Sequence, residues 1–276
     1  MADSLIDVHD LERIVDSEDT RVIDCRWYLT EPELGVAEYR HGHIPGAAYA
    51  SLETDLSGPS GAGRHPLPSP ETFAATLGKL GITTSTRVVV YDDRGGAIAA
   101  RLWWMLTNQG HDLTAVLDGG IQAWIAAGHD LSTTQTSPPT GTFPCRPWRG
   151  VVDRDIVVNR QVNTILIDSR SRERYVGDEE PIDPKAGHIP GAISLPQAEN
   201  LTEDLRFLPS DILHSLFSGA GITGTEDVIV HCGSGVTACH NILAMDVAGI
   251  ERPLLYVGSW SDWSSVDLPV ATGEAP

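Results

Sequence analysis

The residue best placed to do covalent chemistry is Cys232. It stands in Val228-Ile229-Val230-His231-Cys232-Gly233-Ser234-Gly235-Val236-Thr237-Ala238, where a short apolar run of strand type ends and a helical stretch begins that runs to about Ala248. At the tip of a strand–loop–helix unit, several main-chain N–H groups converge on the sulfur and the helix N-terminus adds positive potential. Both favour thiolate over thiol, and the thiolate is the nucleophile. Gly233 and Gly235 permit a curl that a Cβ-bearing backbone resists. Ser234 and Thr237 bring hydroxyl donors to the same point, with Val236 between the second glycine and Thr237. The bland alternative is a buried structural cysteine, but a Gly-x-Gly curl has no packing purpose there.

The other cysteines read differently. Cys239 falls two residues into the helix and reads as core, Cys25 replaces a small residue in a strand and reads as buried, and Cys145 reads as exposed. There is no CxxC pair, and the spacings suit neither a zinc site nor a disulfide framework. The ten histidines are scattered without ligand spacing. The sequence therefore predicts free thiols, no metal and no cofactor.

The elements that must position Cys232 occur twice. His43-Ile44-Pro45-Gly46-Ala47 recurs as His188-Ile189-Pro190-Gly191-Ala192, and the strand-like Val22-Ile23-Asp24-Cys25-Arg26 recurs as Leu166-Ile167-Asp168-Ser169-Arg170. Leu80-Gly81-Ile82-Thr83 matches Ala220-Gly221-Ile222-Thr223, and Val88-Val89-Val90-Tyr91 matches Val228 to His231. Leu117-Asp118-Gly119-Gly120 with Trp124 echoes Tyr256-Val257-Gly258-Ser259 with Trp263. A period this long reads as a duplicated domain. Short apolar strands alternating with helices imply, in each copy, a mostly parallel sheet with helices on both faces. The Ser-, Thr- and Pro-rich stretch 131–149 reads as a linker, giving an N-terminal domain over 1–130 and a C-terminal, catalytic domain over 150–276. Asp92 occupies the position of Cys232 in the first copy, so that copy lacks the nucleophile.

Composition narrows the partners. The chain has 276 residues, is 41% hydrophobic and 21% charged, and carries a formal net charge of −19. Such acidity disfavours nucleic acid and anionic membrane surfaces, and obliges an anionic substrate to find a local basic pocket. No apolar run is long enough to span a bilayer. The acidic start, without a basic or an apolar segment, predicts no targeting peptide and a cytoplasmic protein.

Taken together, both His-Ile-Pro-Gly-Ala turns, both Asp-x-Arg strand ends, the Trp103-Trp104 pair, the Leu-Asp-Gly-Gly and Tyr-Val-Gly-Ser-Trp segments and the cysteine loop resemble the tandem rhodanese family over nearly the whole chain. The resemblance implies two tandem rhodanese-like domains and a sulfurtransferase that works by double displacement through a persulfide on Cys232. The partners it implies are a small anionic sulfur donor and a thiol, thioredoxin-like or cyanide acceptor. Family members with Cys-Gly-Ser-Gly-Val-Thr use 3-mercaptopyruvate, whereas those with Cys-Arg-Lys-Gly-Val-Thr use thiosulfate. The first pattern, present here, implies that Ser234 assists proton movement at the donor and that Thr237 holds the loop. It also implies that Arg174, in Arg174-Tyr175, grips a carboxylate; the alternative is a surface ion pair with Glu173, Asp178 or Glu179. A second Arg expected after Glu-Pro is Ile182 here, and Lys185 is the nearest replacement. Thiosulfate:cyanide transfer is the alternative activity.

Arg26 and Arg170 read as structural ion-pair partners, since they repeat in a domain without a nucleophile. His43 and His188 read as turn-stabilising for the same reason, with His43 kept as a weak substrate-binding candidate. A cysteine phosphatase would need an Arg to clamp phosphate, and Ala238 stands near the helix start instead. A non-enzymatic binding module of the same fold would not need the intact loop.

Overall fold

The computed structural model describes residues 4–224 and 226–276. The chain falls into two compact units. One comprises residues 1–59, 68–149 and 203–207; the other comprises 60–67, 150–202 and 208–276.

In the first unit, β1 (Leu5–Ile6), α1 (Val8–Glu12), β2 (Thr20–Asp24), α2 (Pro32–His41), β3 (Ala48–Tyr49), α3 (Pro70–Lys79), β4 (Arg87–Tyr91), α4 (Ala99–Asn108), β5 (Thr114–Leu117) and α5 (Gly120–Ala126) follow in order. The strands form one sheet in the order β1-β5-β4-β2-β3, and every pairing is parallel. Val88, Val89 and Val90 of β4 are buried, as a strand covered on both faces requires. Helix starts are legible in the sequence: the Ser69 hydroxyl caps α3 by accepting from Thr72 N–H, with Pro70 in the first turn. Residues 131–149 form no helix or extended strand but are tied down. Ser132 and His43 exchange main-chain bonds, Gly141 N–H donates to Gly78 O, and Trp148 Nε1 donates to Pro68 O.

The second unit repeats the plan with β6 (Val151–Val152), α6 (Arg154–Val158), β7 (Ile165–Asp168), α7 (Arg172–Val176), β8 (Ala192–Ser194), a 3₁₀ turn at Gln197–Asn200, α8 (Ser210–Gly219), β9 (Val228–His231), α9 (Ala238–Val247), β10 (Leu254–Tyr256) and α10 (Ser259–Trp263). Its sheet runs β6-β10-β9-β7-β8, again wholly parallel. The register pairs Asp168 with His231 at the ends of β7 and β9. From β9 the chain crosses to β10 on one side, and from β7 to β8 on the other. In open parallel sheets the crevice at such a reversal, beyond the strand C-termini, is where ligands bind. Leu166, Tyr175, Ile189, Ile229, Tyr256 and Trp260 pack in the core of this unit. No helix among the described residues is long and apolar enough to cross a membrane.

Candidate functional site

Cys232 leaves β9 at that reversal and is 1% exposed. Five residues separate it from α9, and Thr237 is the N-cap. The Thr237 hydroxyl makes no capping bond, so it does not hold the loop in that way. Gly235 has φ +74° and a Cβ there would lie 2.6 Å from Val257 O, so the turn and the close approach both require glycine. The opposing wall is the first turn of α10. Trp260 N–H donates to Cys232 O, Ser261 N–H donates to Gly233 O, and the Ser259 hydroxyl accepts from Cys232 N–H at 3.2 Å. Ser259 adopts φ +54° with a side chain, where the first copy has Gly120 at φ +56°.

The equivalent loop of the first unit holds a carboxylate. The Asp92 carboxylate, fully buried, accepts four main-chain N–H bonds: Arg94 and Gly96 on Oδ1 at 2.8 Å, and Ile98 and Ala99 on Oδ2 at 2.7 and 2.8 Å. Six residues separate Asp92 from α4, one more than follow Cys232 before α9. The repeat therefore keeps register from the strand through Gly95 and Gly235 and loses one residue before the helix.

Around Cys232 the side chains are of three kinds. Ser234 is buried, and its Oγ lies 2.8 Å from His65 Nδ1. His65 belongs to the second unit although it is encoded in the first half of the chain. Next come the cations. Arg174 forks onto Glu180, with Nη2 to Oε1 at 2.7 Å and Nε to Oε2 at 3.2 Å, and Nη2 also reaches Asp183 at 3.0 Å. Its partners are thus Glu180 and Asp183, not Glu173, Asp178 or Glu179, because the chain folds back through Pro181 to bring those carboxylates under it. Arg64, on the same segment as His65, binds the other oxygen of Asp183. Burial raises the Asp183 carboxyl, while the two guanidiniums pull it back. Beneath these lies an Asp-Arg pair. Arg170 forks onto Asp168 with Nη2 to Oδ2 at 2.6 Å, reaches Glu180 at 3.3 Å, and lies over the Trp260 ring. Burial works to raise Asp168, but Arg170 and then His231 outweigh it and hold it below the usual carboxylate range.

Two weak candidates are engaged by main-chain carbonyls. His43 is fully buried, stacks on Tyr39, and has its ring nitrogens against Tyr39 O at 2.7 Å and Thr134 O at 3.1 Å. No ring nitrogen is left for a substrate, and His188 repeats the arrangement with Tyr175 O and Ala275 O. Lys185 donates from Nζ to Val266 O at 2.6 Å, so its charge holds the C-terminal segment. Arg26 pairs with Asp24 as Arg170 does with Asp168, matching the structural reading of both. Burial, and then Asp24, raise the Cys25 thiol well above its ordinary range, which makes it a poor nucleophile. Cys239 is buried with Sγ toward Gly235 O, and Cys145 is exposed beside Glu71. No cluster of three His, Cys, Asp or Glu suited to a metal occurs among the described residues. Sequence reading missed Arg64 and His65, whose only signal was a charged pair in a Gly- and Pro-rich loop of the copy without a nucleophile.

Comparison with known proteins matches residues 7–127 and 156–266 to the rhodanese-like domain. A protein of Pseudomonas aeruginosa described as a probable 3-mercaptopyruvate sulfurtransferase is 42% identical over 280 residues, covering 98% of both chains. A putative thiosulfate sulfurtransferase, SseB of Mycobacterium tuberculosis, is 42% identical over 92% of this chain and 91% of its own. The crystal structure of SseA from Escherichia coli, a 3-mercaptopyruvate sulfotransferase, superposes with a TM-score of 0.83 at 32% identity, covering 94% of this chain and 99% of that one. The duplicated parallel sheets, the curled cysteine loop and these matches agree, and the chain belongs to the rhodanese family.

Proposed function

We propose that this chain is a sulfurtransferase that accepts sulfane sulfur from 3-mercaptopyruvate on Cys232 and passes it to a thiophilic acceptor. The observation that carries this reading is the pair of loops. In a persulfide, Cβ–Sγ–Sδ has the same number of atoms as Cβ–Cγ–Oδ in aspartate. The outer sulfur of a Cys232 persulfide therefore corresponds to the Asp92 carboxylate oxygens, which four N–H groups hold. A loop that stabilises an anion two atoms beyond Cβ suits a persulfide anion better than a bare thiol.

The chemistry balances without a cofactor. The Cys232 thiolate attacks the donor's sulfur, the carbon–sulfur bond breaks, and its electron pair leaves as the enolate of pyruvate. The thiol proton of the donor passes to that carbon, for which the Ser234 hydroxyl and His65, 2.8 Å apart, form a relay. Arg174 and the main-chain N–H groups of Gly233 to Thr237 bind and orient the donor. A thiol, a thioredoxin-like dithiol or cyanide then attacks the outer sulfur and releases the Cys232 thiolate. Thiosulfate is the second donor to consider, since a relative of equal identity bears that name. Ser234 and the 2-oxo acid logic of Arg174 favour mercaptopyruvate. Four free cysteines and the strongly acidic surface support a reducing, cytoplasmic setting without nucleic-acid or membrane partners.

The test is mass spectrometry of protein treated with 3-mercaptopyruvate, together with kcat/KM for both donors. A mass gain of one sulfur on Cys232, absent in Cys232→Ser, is expected, with mercaptopyruvate the better donor by tenfold or more. Undiminished turnover by Cys232→Ser would end the proposal.

A further inference from the structure

Gly233, next to the nucleophile, is flanked by two guanidiniums. A Cβ built on it would lie 3.0 Å from Arg64 Nη2 and 3.3 Å from Arg174 Nη1. Elsewhere both side chains meet carboxylates, Arg64 through Nη1 to Asp183 and Arg174 through Nε and Nη2 to Glu180 and Asp183, while Arg64 Nε is buried without an acceptor. The two nitrogens beside Gly233 have no protein acceptor among the described residues. Asp183 is tied to both cations, one on each oxygen, and its main chain is fixed by Asp183 N–H donating to Glu180 Oε1 at 3.0 Å. It therefore sets their spacing. The result is a pair of charged N–H donors, held in place beforehand, beside the residue that follows the nucleophile. A carboxylate, planar and with two acceptor oxygens, fits such a pair.

From this geometry we infer that Arg64 is the second donor-binding guanidinium and that Arg64 and Arg174 together clamp the carboxylate of a 2-oxo acid donor. Arg64 so supplies the cation lacking at Ile182, a place Lys185 does not fill because its ammonium is bound to Val266 O. The segment that brings Arg64 is anchored independently, since Arg64 N–H donates to Ser261 Oγ at 3.1 Å and Gly63 packs on Gly258. A residue of the first half of the sequence thereby determines specificity at a nucleophile in the second.

The inference rests on the sulfurtransferase reading, and the experiment separates the two. Steady-state kinetics with 3-mercaptopyruvate are measured for the parent, Arg64→Gln and Arg64→Lys, with pyruvate as a competing carboxylate. Loss of one charge-assisted pair is expected to raise KM and the pyruvate inhibition constant of Arg64→Gln together, by about 10- to 100-fold, with kcat changed by less than about threefold. Arg64→Lys, which keeps the charge and loses the fork, is expected to fall between the two and serves as the reading if Arg64→Gln does not fold. Unchanged KM and inhibition constant in either variant, with a parent that does load sulfur, overturn the role of Arg64 alone. A loss confined to kcat and to thermal stability overturns it as well, since that is the mark of a purely structural arginine. A parent that gains no sulfur on Cys232 overturns the underlying function.

Discussion

Replacing Asp92 by Asn tests whether the curled loop is an anion cradle. The carboxylate is fully buried and its two oxygens accept four N–H bonds of 2.7 to 2.8 Å. Asparagine keeps one oxygen and two of those bonds. Its amide nitrogen would face the other two N–H groups, donor against donor, in a fully buried site. Leaving a buried donor unsatisfied costs about 1–3 kcal/mol, so two cost roughly 2–6 kcal/mol. Relief from burying a charge offsets part of this, leaving a loss of about 3 kcal/mol. For a unit of this size that lowers the melting temperature by on the order of 10 °C. Calorimetry measures the shift, and amide hydrogen exchange at Gly96, Ile98 and Ala99 locates it. A variant that melts within about 2 °C of the parent, with those amides still protected, would show that the loop has no preference for negative charge. The charge argument for Cys232 would then lose its internal control.

Two further substitutions probe the scaffold around the nucleophile. Ser259 pays for a left-handed backbone while its hydroxyl holds Cys232 N–H and donates to Tyr256 O at 2.8 Å, so Ser259→Ala keeps the strain and loses both bonds, whereas Ser259→Gly loses only the bonds. The glycine variant should be more stable than the alanine variant by about 1 kcal/mol in chemical denaturation, and equal stabilities would refute the strain. His231 is fully buried with Nε2 3.9 Å from Asp168 Oδ2, and burial pushes its imidazole below the ordinary value, with Asp168 opposing and Arg170 and Arg160 reinforcing. The unfolded chain therefore takes up a proton first as pH falls below about 6.5, so the stability is complete above that pH and erodes below it. Tyr91 fills the same place in the first unit and reaches Asp24 at 2.8 Å, so His231→Tyr should remove this erosion. Melting curves of both proteins from pH 7 to 5 should diverge progressively, and parallel curves would exclude His231 as the titrating group.

The fold was legible because it is written twice. Parallel strands buried on both faces leave continuous apolar runs such as Val88 to Val90, and the repeated Pro-Gly turns fix their order. The loop that carries Cys232 and Ser234 was legible because strand, glycine curl and helix are contiguous in sequence. Arg64 and His65 were not, since their segment joins the second unit through contacts with residues about 120 to 200 positions away, such as Asp183 and Ser261, and no local pattern encodes a contact of that separation. The contacts of His43 and Lys185 were not legible, because residue type reveals charge but not whether a main-chain carbonyl already holds it. Likewise, the sequence marks Arg174 as a candidate carboxylate binder but does not reveal that the fold supplies two carboxylates of its own from residues 180 and 183.

That arrangement answers the difficulty raised by the net charge of −19. Long-range attraction cannot draw an anionic donor to this surface, and at physiological salt it fades within about 8 Å in any case. The positive potential has to be local and already oriented, so that nothing need reorganise when the donor arrives. Main-chain N–H groups supply part of it at no cost in formal charge, as the Asp92 loop demonstrates with four bonds to one carboxylate. In the proposed site guanidiniums supply the rest, and Asp183 and Glu180 fix them with Arg64 Nη2 and Arg174 Nη1 beside Gly233. One copy of the fold fills its cradle with its own aspartate. Under the proposed function the other copy ends in a single sulfur atom, one atom shorter than that carboxylate, and the transferred sulfur supplies the difference.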